Sequence, residues 1–363
     1  MWYLFEGQSI VIIALVIVVA LGTAVRVVLE TRSPSKTAAY LLLIILLPIM
    51  GSMIYFLVGI NYRKRRIYSK KLIRNERLFE QVRTRIFQSS QWVKEKHFGL
   101  VGPYEDLIEL QLRESLSPLS GNKVQLLING EGKFSTLFDD LEKARYFIHL
   151  EYYIVEDDTI GNKVKEVLIR KAREGVTVRF IYDDFGSRDI RSKIAPELEA
   201  NGVKIHPFYR IHFVLFANRI NYRDHRKVII IDGKIGYIGG INLSDRYVNA
   251  VGKSTYWRDT HLRLEGSAVL TLQYHFLSNW NFCADDNLGF EPDLFPPNEL
   301  DVEGIDLVQI VTSGPDYPRP SIMMSYFMAI MAARKSVYIT SPYFIPNESI
   351  FNAIKTCALS GKD

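Results

Sequence analysis

Two long apolar stretches lie within the first 60 residues of this 363-residue chain. Ile10 to Leu29 is 20 residues long with one charged residue, Arg26, and Ala38 to Ile60 is 23 residues long with none. Each is long enough to cross a hydrocarbon core about 30 Å thick. No basic segment precedes the first stretch and no small-x-small cleavage site is evident, which favours an anchor over a cleaved signal peptide. The sequence therefore predicts a hairpin of two transmembrane helices over residues 1–60.

A basic segment follows the second apolar stretch directly. Between Asn61 and Lys96 there are 12 Lys or Arg residues and three Glu, a net charge of +9, whereas the whole chain is +5. The remainder is therefore acidic, and the charge gives no support for a nucleic-acid-binding surface spread over the protein. By the positive-inside rule, both the N-terminus and everything after Ile60 are expected in the cytoplasm.

Apolar residues recur within the basic segment at a helical spacing. They are Leu78, Val82 and Ile86, accompanied by Phe79 and Trp92. Such a helix could lie on anionic lipid headgroups, and a solvated charged helix or linker explains the pattern equally well.

The rest of the chain alternates between strand-like and helix-like segments, which is typical of an α/β fold. We expect a linker over 61–110, a first domain over 111–290 and the start of a second domain over 291–363. The two cysteines, Cys283 and Cys357, have no CxxC spacing, so neither a disulfide framework nor a thiolate metal site is expected. The expected strands are 124–127, 147–155, 177–182 and 204–207, and the expected helices are 134–143, 162–174 and 192–201.

A weak internal repeat supports this division. Residues 124–127 and 147–154 are echoed by 308–311 and 337–345, each pair being separated by a helical segment. The first copy continues for another hundred residues, whereas the second stops at Asp363, so the second unit is expected to be incomplete.

The segment from Asn221 to Asn242 carries most of the chemistry. Asp232-Gly233 between two apolar runs predicts a β-hairpin with a type I′ turn. His225 and Lys227 are two residues apart, so their side chains are expected on the same face of the first strand. A phosphate would explain the pair, because Lys supplies positive charge and the imidazole can attack phosphorus or pass a proton.

The two glycines and the asparagine that follow extend this interpretation. Gly239 and Gly240 allow close approach of the backbone, and Asn242 offers an amide to a phosphoryl oxygen. Each residue alone has a simpler explanation. Asp232 can be only a turn former, Lys227 a strand-edge residue, and a lone His is more often structural.

Together these residues spell HxKxxxxDxxxxxxGGxN, which resembles the motif of the phospholipase D superfamily and of its bacterial cardiolipin synthases in particular. The resemblance extends over essentially the whole chain. It includes the apolar hairpin and the stretches 149–153, 182–186, 221–227, 257–261 and 341–346.

The resemblance implies a metal-independent and cofactor-independent transfer of a phosphatidyl group in a bacterial cell membrane. In the family, one histidine attacks the phosphorus of phosphatidylglycerol and releases glycerol. A second histidine protonates that leaving group and then activates another phosphatidylglycerol, which gives cardiolipin. Carried over here, His225 is the nucleophile or the paired acid/base, Lys227 and Asn242 bind phosphate with Gly239 and Gly240, and Asp232 supports the His-Lys geometry as part of the catalytic motif.

The family pattern needs two such motifs, and this chain has one. None of the other six histidines is followed by Lys at +2 and Asp at +7. Either the chain is a shortened form, which we favour and which would be inactive as a monomer, or two chains complete one site as a homodimer. A hydrolase of the same superfamily and a catalytically silent protein that binds anionic lipid remain alternatives. The sequence does not identify the donor and acceptor lipids or the histidine that is attacked first.

Overall fold

The structure is a computed structural model that describes residues 2–31, 34–56, 83–187, 190–208, 223–249, 255–284, 286–296, 306–314, 317 and 319–363. The described residues belong to two compact units, one over 2–56 and one from 83 onward.

The first unit contains three helices, α1 (Trp2–Glu30), α2 (Pro34–Leu46) and α3 (Pro48–Ile54). Val27, Ile44 and Tyr55 pack together and are buried, whereas most other apolar side chains from Ile10 onward face outward. Of the residues that the structure describes, only the α1 segment Ile10–Glu30 is long and apolar enough to cross a membrane.

The predicted second span, 38–60, is divided between two shorter helices. Leu47 leaves the helical conformation with φ −138° and ψ 77°, and Pro48 begins α3. Proline suits the first turn of a helix and disrupts a helix interior, which accounts for the break. Residues 57–60 lie outside the described part, so the two-span hairpin stays a prediction.

The second unit is built around one mixed eight-stranded sheet in the order β4-β3-β2-β5-β6-β7-β1-β8. Neighbours β2, β3 and β4 run parallel, and the remaining pairs are antiparallel. The strands are β1 (Ser120–Ile128), β2 (Phe147–Tyr152), β3 (Thr177–Tyr182), β4 (Lys204–Pro207), β5 (Lys227–Ile231), β6 (Ile235–Gly239), β7 (Thr260–Gly266) and β8 (Asp306–Val308).

Helices cover both faces of this sheet. α7, α8 and α9 contribute to the buried cluster on one face, and α10 supplies six of the thirteen buried residues of the cluster on the other. The helices of this unit are α4 (Arg83–Lys96), α5 (Phe98–Val101), α6 (Glu105–Ser115), α7 (Asn129–Glu142), α8 (Thr159–Arg173), α9 (Ala195–Ala200), α10 (Ser267–Cys283), α11 (Ser321–Ala332) and α12 (Glu348–Leu359). The predicted α/β fold is confirmed.

The hairpin predicted at Asp232-Gly233 is present. β5 and β6 pair antiparallel, and both turn residues have positive φ, 52° and 67°. Those values are what a type I′ turn requires, and Gly and Asp tolerate them better than most residues.

The incomplete second domain stays a prediction, and one of its expected strands does not form among the described residues. β8 pairs with β1 at the edge of the first sheet, and residues 337–345 form no strand. In the first copy, β2 is hydrogen-bonded on both sides, by β3 and β5. Residues 337–345 have no such neighbour in the described structure, and Tyr338 and Ile345 are about nine-tenths exposed. The strand expected there is therefore absent.

The lipid-facing stripe expected in the basic segment is only partly described. Leu78, Phe79 and Val82 lie outside the described residues, whereas Ile86 and Trp92 lie on α4. Trp92 is exposed, and Val93 is buried against Ile108.

Candidate active site

His225 and Lys227 meet at the start of β5. The Lys227 ammonium donates to His225 Nδ1 at 3.0 Å and to the His225 carbonyl oxygen at 2.6 Å. The expected proximity of the two side chains is therefore present. Lys227 is buried, whereas His225 is exposed, so the imidazole is the accessible member of the pair.

An aromatic side chain at the end of β2 shapes the same place. The ring of Tyr153 lies 4.3 Å from that of His225, and Lys227 Nζ lies 5.0 Å above it. The Tyr153 hydroxyl accepts a hydrogen bond from Arg223 at 3.1 Å. The Tyr153 ring thus contacts both the His225 imidazole and the Lys227 ammonium.

The surroundings favour the neutral forms of both groups. Burial lowers the pKa of Lys227 to about 8, with Asp224, Asp259 and Asp183 acting in the opposite direction. Burial also lowers the pKa of His225, the Lys227 charge adds to the effect, and Asp224 opposes it. At neutral pH the site therefore presents a charged lysine beside an uncharged imidazole.

Asn242 lies close to the motif but is already hydrogen-bonded within the protein. Its Oδ1 accepts from the Ile154 backbone N–H at 3.1 Å, and its Nδ2 donates to the Tyr247 hydroxyl at 2.5 Å. A primary amide has two N–H donors, so one remains for a phosphoryl oxygen.

The two motif glycines fit closely against β7. A Cβ on Gly239 would lie 2.6 Å from His261 Cα, and one on Gly240 would lie 2.1 Å from Asp259 Oδ1. The Gly240 N–H also donates to the Thr260 carbonyl at 2.9 Å. The sequence predicted that the backbone at these glycines approaches a neighbour closely. In the described structure that neighbour is β7 and the residue before it, Asp259.

Asp232 lies apart from the other motif residues, at the opposite end of β5. It follows Lys227 by five positions along the chain, a distance of about 16 Å in an extended strand. Its carboxylate accepts hydrogen bonds of 2.8 Å from the backbone N–H groups of Arg145, Tyr146 and Phe147. These contacts give Asp232 a structural role, and its catalytic role stays a prediction. It holds the loop that leads into β2 and does not contact His225 or Lys227.

The structure adds Lys133 and Asp259, which the sequence reasoning did not place at the site. Lys133, on α7, is fully buried and donates to the Ile241 carbonyl at 2.7 Å. Burial lowers its pKa well below the usual value, the Lys227 charge acts in the same direction, and Asp259 acts against it. Asp259 lies at the start of β7 and interacts electrostatically with both lysines. Each contact joins segments far apart in the chain, so no local pattern signals it.

A further buried histidine, His261, lies behind the glycines. Burial lowers its pKa well below the usual value, with Lys133 and Lys227 contributing. Neither ring nitrogen has a hydrogen-bond partner among the described residues. Within the same residues, no group of three or more His, Cys, Asp or Glu side chains is placed to hold a metal ion.

Comparison with known proteins places this site in a family. Residues 137–256 match the family described as cardiolipin synthase, PLD-like domain, and residues 10–59 match phospholipase D-nuclease N-terminal. A cardiolipin synthase of Geobacillus sp. strain WCH70 is 39% identical over 99% of this chain and 70% of its own length. One from Listeria welshimeri is 40% identical over 97% of this chain and 73% of its own.

The chain belongs to the cardiolipin synthase family. Among curated relatives it spans between 64% and 73% of their length. In solved structures, the phosphatidylserine synthase of Haemophilus influenzae aligns with 70% of this chain and 64% of its own, at 12% identity and a TM-score of 0.48. The family membership and the apolar helix α1 together indicate a bacterial membrane protein.

Proposed function

We propose that this chain carries one of two catalytic motifs of a cardiolipin synthase, which transfers a phosphatidyl group from one phosphatidylglycerol to another. The observation that supports it most directly is the buried Lys227 ammonium, 3.0 Å from the Nδ1 of the exposed His225. Lys227 forms no ion pair with a carboxylate of the described residues. Its charge is therefore available to a phosphate that reaches the imidazole.

The contact between the two side chains fixes where the imidazole carries its proton. A charged ammonium has no lone pair, so it must donate, and His225 Nδ1 must accept. The proton of the neutral ring is then on Nε2. For Nε2 to pass its proton to a leaving oxygen, Nδ1 must take up a second proton, which the Lys227 ammonium can supply through this hydrogen bond. Attack by Nε2 requires that Lys227 move to the phosphate and that the proton shift to Nδ1. His225 can thus serve as acid in one arrangement and as nucleophile in the other.

The proposed reaction has two displacements at phosphorus. A histidine nitrogen forms a bond to phosphorus while the bond to the glycerol oxygen breaks, and the other histidine supplies that oxygen with a proton. The headgroup hydroxyl of a second phosphatidylglycerol then gives its proton to that second histidine. The hydroxyl oxygen forms a bond to phosphorus while the phosphorus–nitrogen bond breaks. The products are cardiolipin and glycerol. Lys227 and the free amide N–H of Asn242 stabilise negative charge on the phosphoryl oxygens.

The second histidine comes from outside the motif at 225–242. We propose that it is supplied either by additional sequence, as the repeat at 308–345 suggests, or by a second copy of the chain. In both cases a monomer of these 363 residues is inactive. The apolar segments 10–29 and 38–60 are proposed to anchor the chain as a two-helix hairpin with the basic segment on the cytoplasmic side.

Lipid product analysis tests the proposal in a host that lacks its own cardiolipin synthesis. The chain is expressed alone and joined to the remaining C-terminal part of a cardiolipin synthase relative. Cardiolipin from the joined form, lost on His225→Ala and kept on His97→Ala, is the expected result. Cardiolipin from the chain alone would assign the second histidine to a second copy. Phosphatidic acid without cardiolipin would favour a hydrolase, and salt-sensitive lipid binding without turnover in any form would favour the silent lipid-binding alternative.

A further inference from the structure

Two buried carboxyl groups, Glu151 and Asp224, interact close to the His-Lys pair. Glu151 lies in the middle of the sheet on β2, and Asp224 immediately precedes His225. They are 1% and 5% exposed, and the two carboxyl groups interact with each other. A hydrogen bond between two carboxyl groups requires a proton on one of them, because two carboxylates offer only acceptors.

Three of the four carboxyl oxygens of the pair can be described by their hydrogen-bond partners or the lack of them. Glu151 Oε1 accepts from the Arg226 guanidinium at 3.1 Å and from the Asn279 side-chain amide. Asp224 Oδ1 accepts from the Arg226 backbone N–H at 3.3 Å. Asp224 Oδ2 is buried, and no N–H or hydroxyl donor reaches it among the described residues. Such an oxygen is costly to bury unless the neighbouring carboxyl provides the hydrogen bond.

The charges around the pair do not favour two carboxylates. Among the described residues, Arg226 is the cation that forms an ion pair with Glu151. A third carboxyl, Asp183, accepts from the Asp224 backbone N–H at 2.9 Å. Burial raises the pKa of Glu151 well above its ordinary value, with Asp224 adding to the effect and Arg226 opposing it. Burial likewise raises the pKa of Asp183. Among the described residues, Asp224 also interacts electrostatically with Lys227 and His225.

We propose that Glu151 and Asp224 share a single proton in the folded chain, and that this protonated pair is a positioning device for His225. The pair ties the residue before His225 to the central strand β2, while Arg226 and Asn279 fix Glu151 from two other directions. Asp224 also sets the start of β5 through its hydrogen bond to Asp183. The catalytic importance of that positioning rests on the proposed function, whereas the shared proton does not.

Infrared difference spectroscopy of the detergent-solubilised full chain at pH 7 tests the shared proton. The spectrum of the unaltered protein minus that of Asp224→Asn is expected to show the carbonyl band of a protonated carboxyl group. The same band is expected in the spectrum of the unaltered protein minus that of Glu151→Gln. The glutamine amide can still donate a hydrogen bond to Asp224, so this variant provides the test if Asp224→Asn does not fold. Asp139→Asn, at an exposed position on α7, is the control and leaves the band unchanged. A difference spectrum without this band would overturn the proposal.

Stability against pH provides an independent measurement. The folded pair holds a proton that the unfolded carboxyls release above their ordinary pKa, so it stabilises the fold at low pH and loses this effect as pH rises. In that window the unfolding equilibrium constant contributed by the pair grows about tenfold per pH unit. Asp224→Asn should weaken this dependence, because Glu151 stays buried but loses the carboxyl that shares its proton. Unfolding can be followed by the fluorescence of buried Trp280. An unchanged slope in Asp224→Asn would contradict a shared proton.

Chemical modification of His225 tests the positioning role without any need for turnover. The rate of its reaction with diethyl pyrocarbonate, measured by mass spectrometry, is expected to rise at least about threefold in Glu151→Ala, because the loosened segment opens locally. Glu151→Gln should restore the original rate. In the unaltered protein the modification rate should rise with pH in two steps, first as the His225 imidazole loses its proton and then as the Glu151–Asp224 pair loses its own. Asp224→Asn should lack the second step. Equal pH profiles in both proteins would rule out positioning by the pair even if the proposed enzymatic function is correct.

Discussion

The ammonium of Lys227 is tied to His225 at two points, 3.0 Å from the ring Nδ1 and 2.6 Å from the carbonyl oxygen. The side chain that would bind phosphate is thereby held by the residue that would react with it. When the Lys227 ammonium donates to a phosphate instead, His225 Nδ1 loses its hydrogen-bond donor. Phosphate binding and the position of the ring proton therefore change together. The pair acts as one unit, and neither residue can be altered without affecting the other.

Phosphodiester binding should weaken as pH rises through the pKa of Lys227, about 8. The ammonium is charged below that pH and neutral above it, so the affinity should fall up to about tenfold between pH 7 and 9. Dimethyl phosphate is a suitable probe, because its own charge is constant over this range. Its binding can be measured as protection of His225 from diethyl pyrocarbonate. Lys227→Arg stays charged and should show little pH dependence, so a parallel decline in both proteins would assign the effect to another group.

Much of the sheet could be predicted from the sequence. β2 and β3 are short runs rich in apolar residues, and Gly175 and Gly202 end the helices before β3 and β4. The β5–β6 turn carries its Asp-Gly signal. α10 gave no comparable signal, because it is buried around most of its circumference and so lacks an amphipathic period. β1 and β7 are hydrogen-bonded to each other although more than a hundred residues separate them in the chain, so no local sequence pattern indicates that pairing.

The site was predictable only where it is local. His225 and Lys227 are two residues apart on one strand, and that spacing alone places them on one face. Asp232 is near them in sequence but at the other end of the strand, so the motif spacing did not indicate its contacts with the backbone before β2. Lys133 and Glu151 reach the site from other elements through burial and long-range pairing, which a pattern in one segment does not encode.

Asp232→Ala should destabilise the fold without affecting phosphate binding. Three backbone N–H groups lose their acceptor, and the positive φ of 52° is less favourable for Ala than for Asp. We expect a loss of about 1–3 kcal/mol of unfolding free energy. Asp232→Asn keeps one acceptor oxygen and tolerates this backbone conformation, so it should lose less. A denaturant titration measures both. Loss of dimethyl phosphate protection at His225 in the still-folded Asp232→Asn protein would instead return Asp232 to the catalytic site.

Gly239→Ala should be more damaging than Gly240→Ala. The new methyl group at 239 would meet backbone atoms, His261 Cα at 2.6 Å and the Thr260 carbonyl oxygen at 2.7 Å. At 240 it would meet the carboxylate of Asp259, a side-chain end that can rotate away. Overpacking of this kind costs about 1–3 kcal/mol where the neighbours cannot move. Thermal unfolding of the two variants side by side measures the difference, and equal destabilisation would show that Asp259 is as rigidly held as the strand backbone.

Asn242→Asp separates the structural from the ligand-binding role of this side chain. The substitution keeps the oxygen that accepts from the Ile154 N–H, and the Tyr247 hydroxyl can donate to the new carboxylate in place of accepting from the amide. The fold should therefore be retained. The amide N–H that remained for a phosphoryl oxygen is lost, and a negative charge near Lys227 opposes an anion, so dimethyl phosphate affinity should drop by at least about tenfold. Asn242→Ser is the matched neutral variant and should bind more tightly than Asn242→Asp. If both variants fold and bind the probe as well as the unaltered chain, Asn242 only supports the loop after β6 and does not contact phosphate.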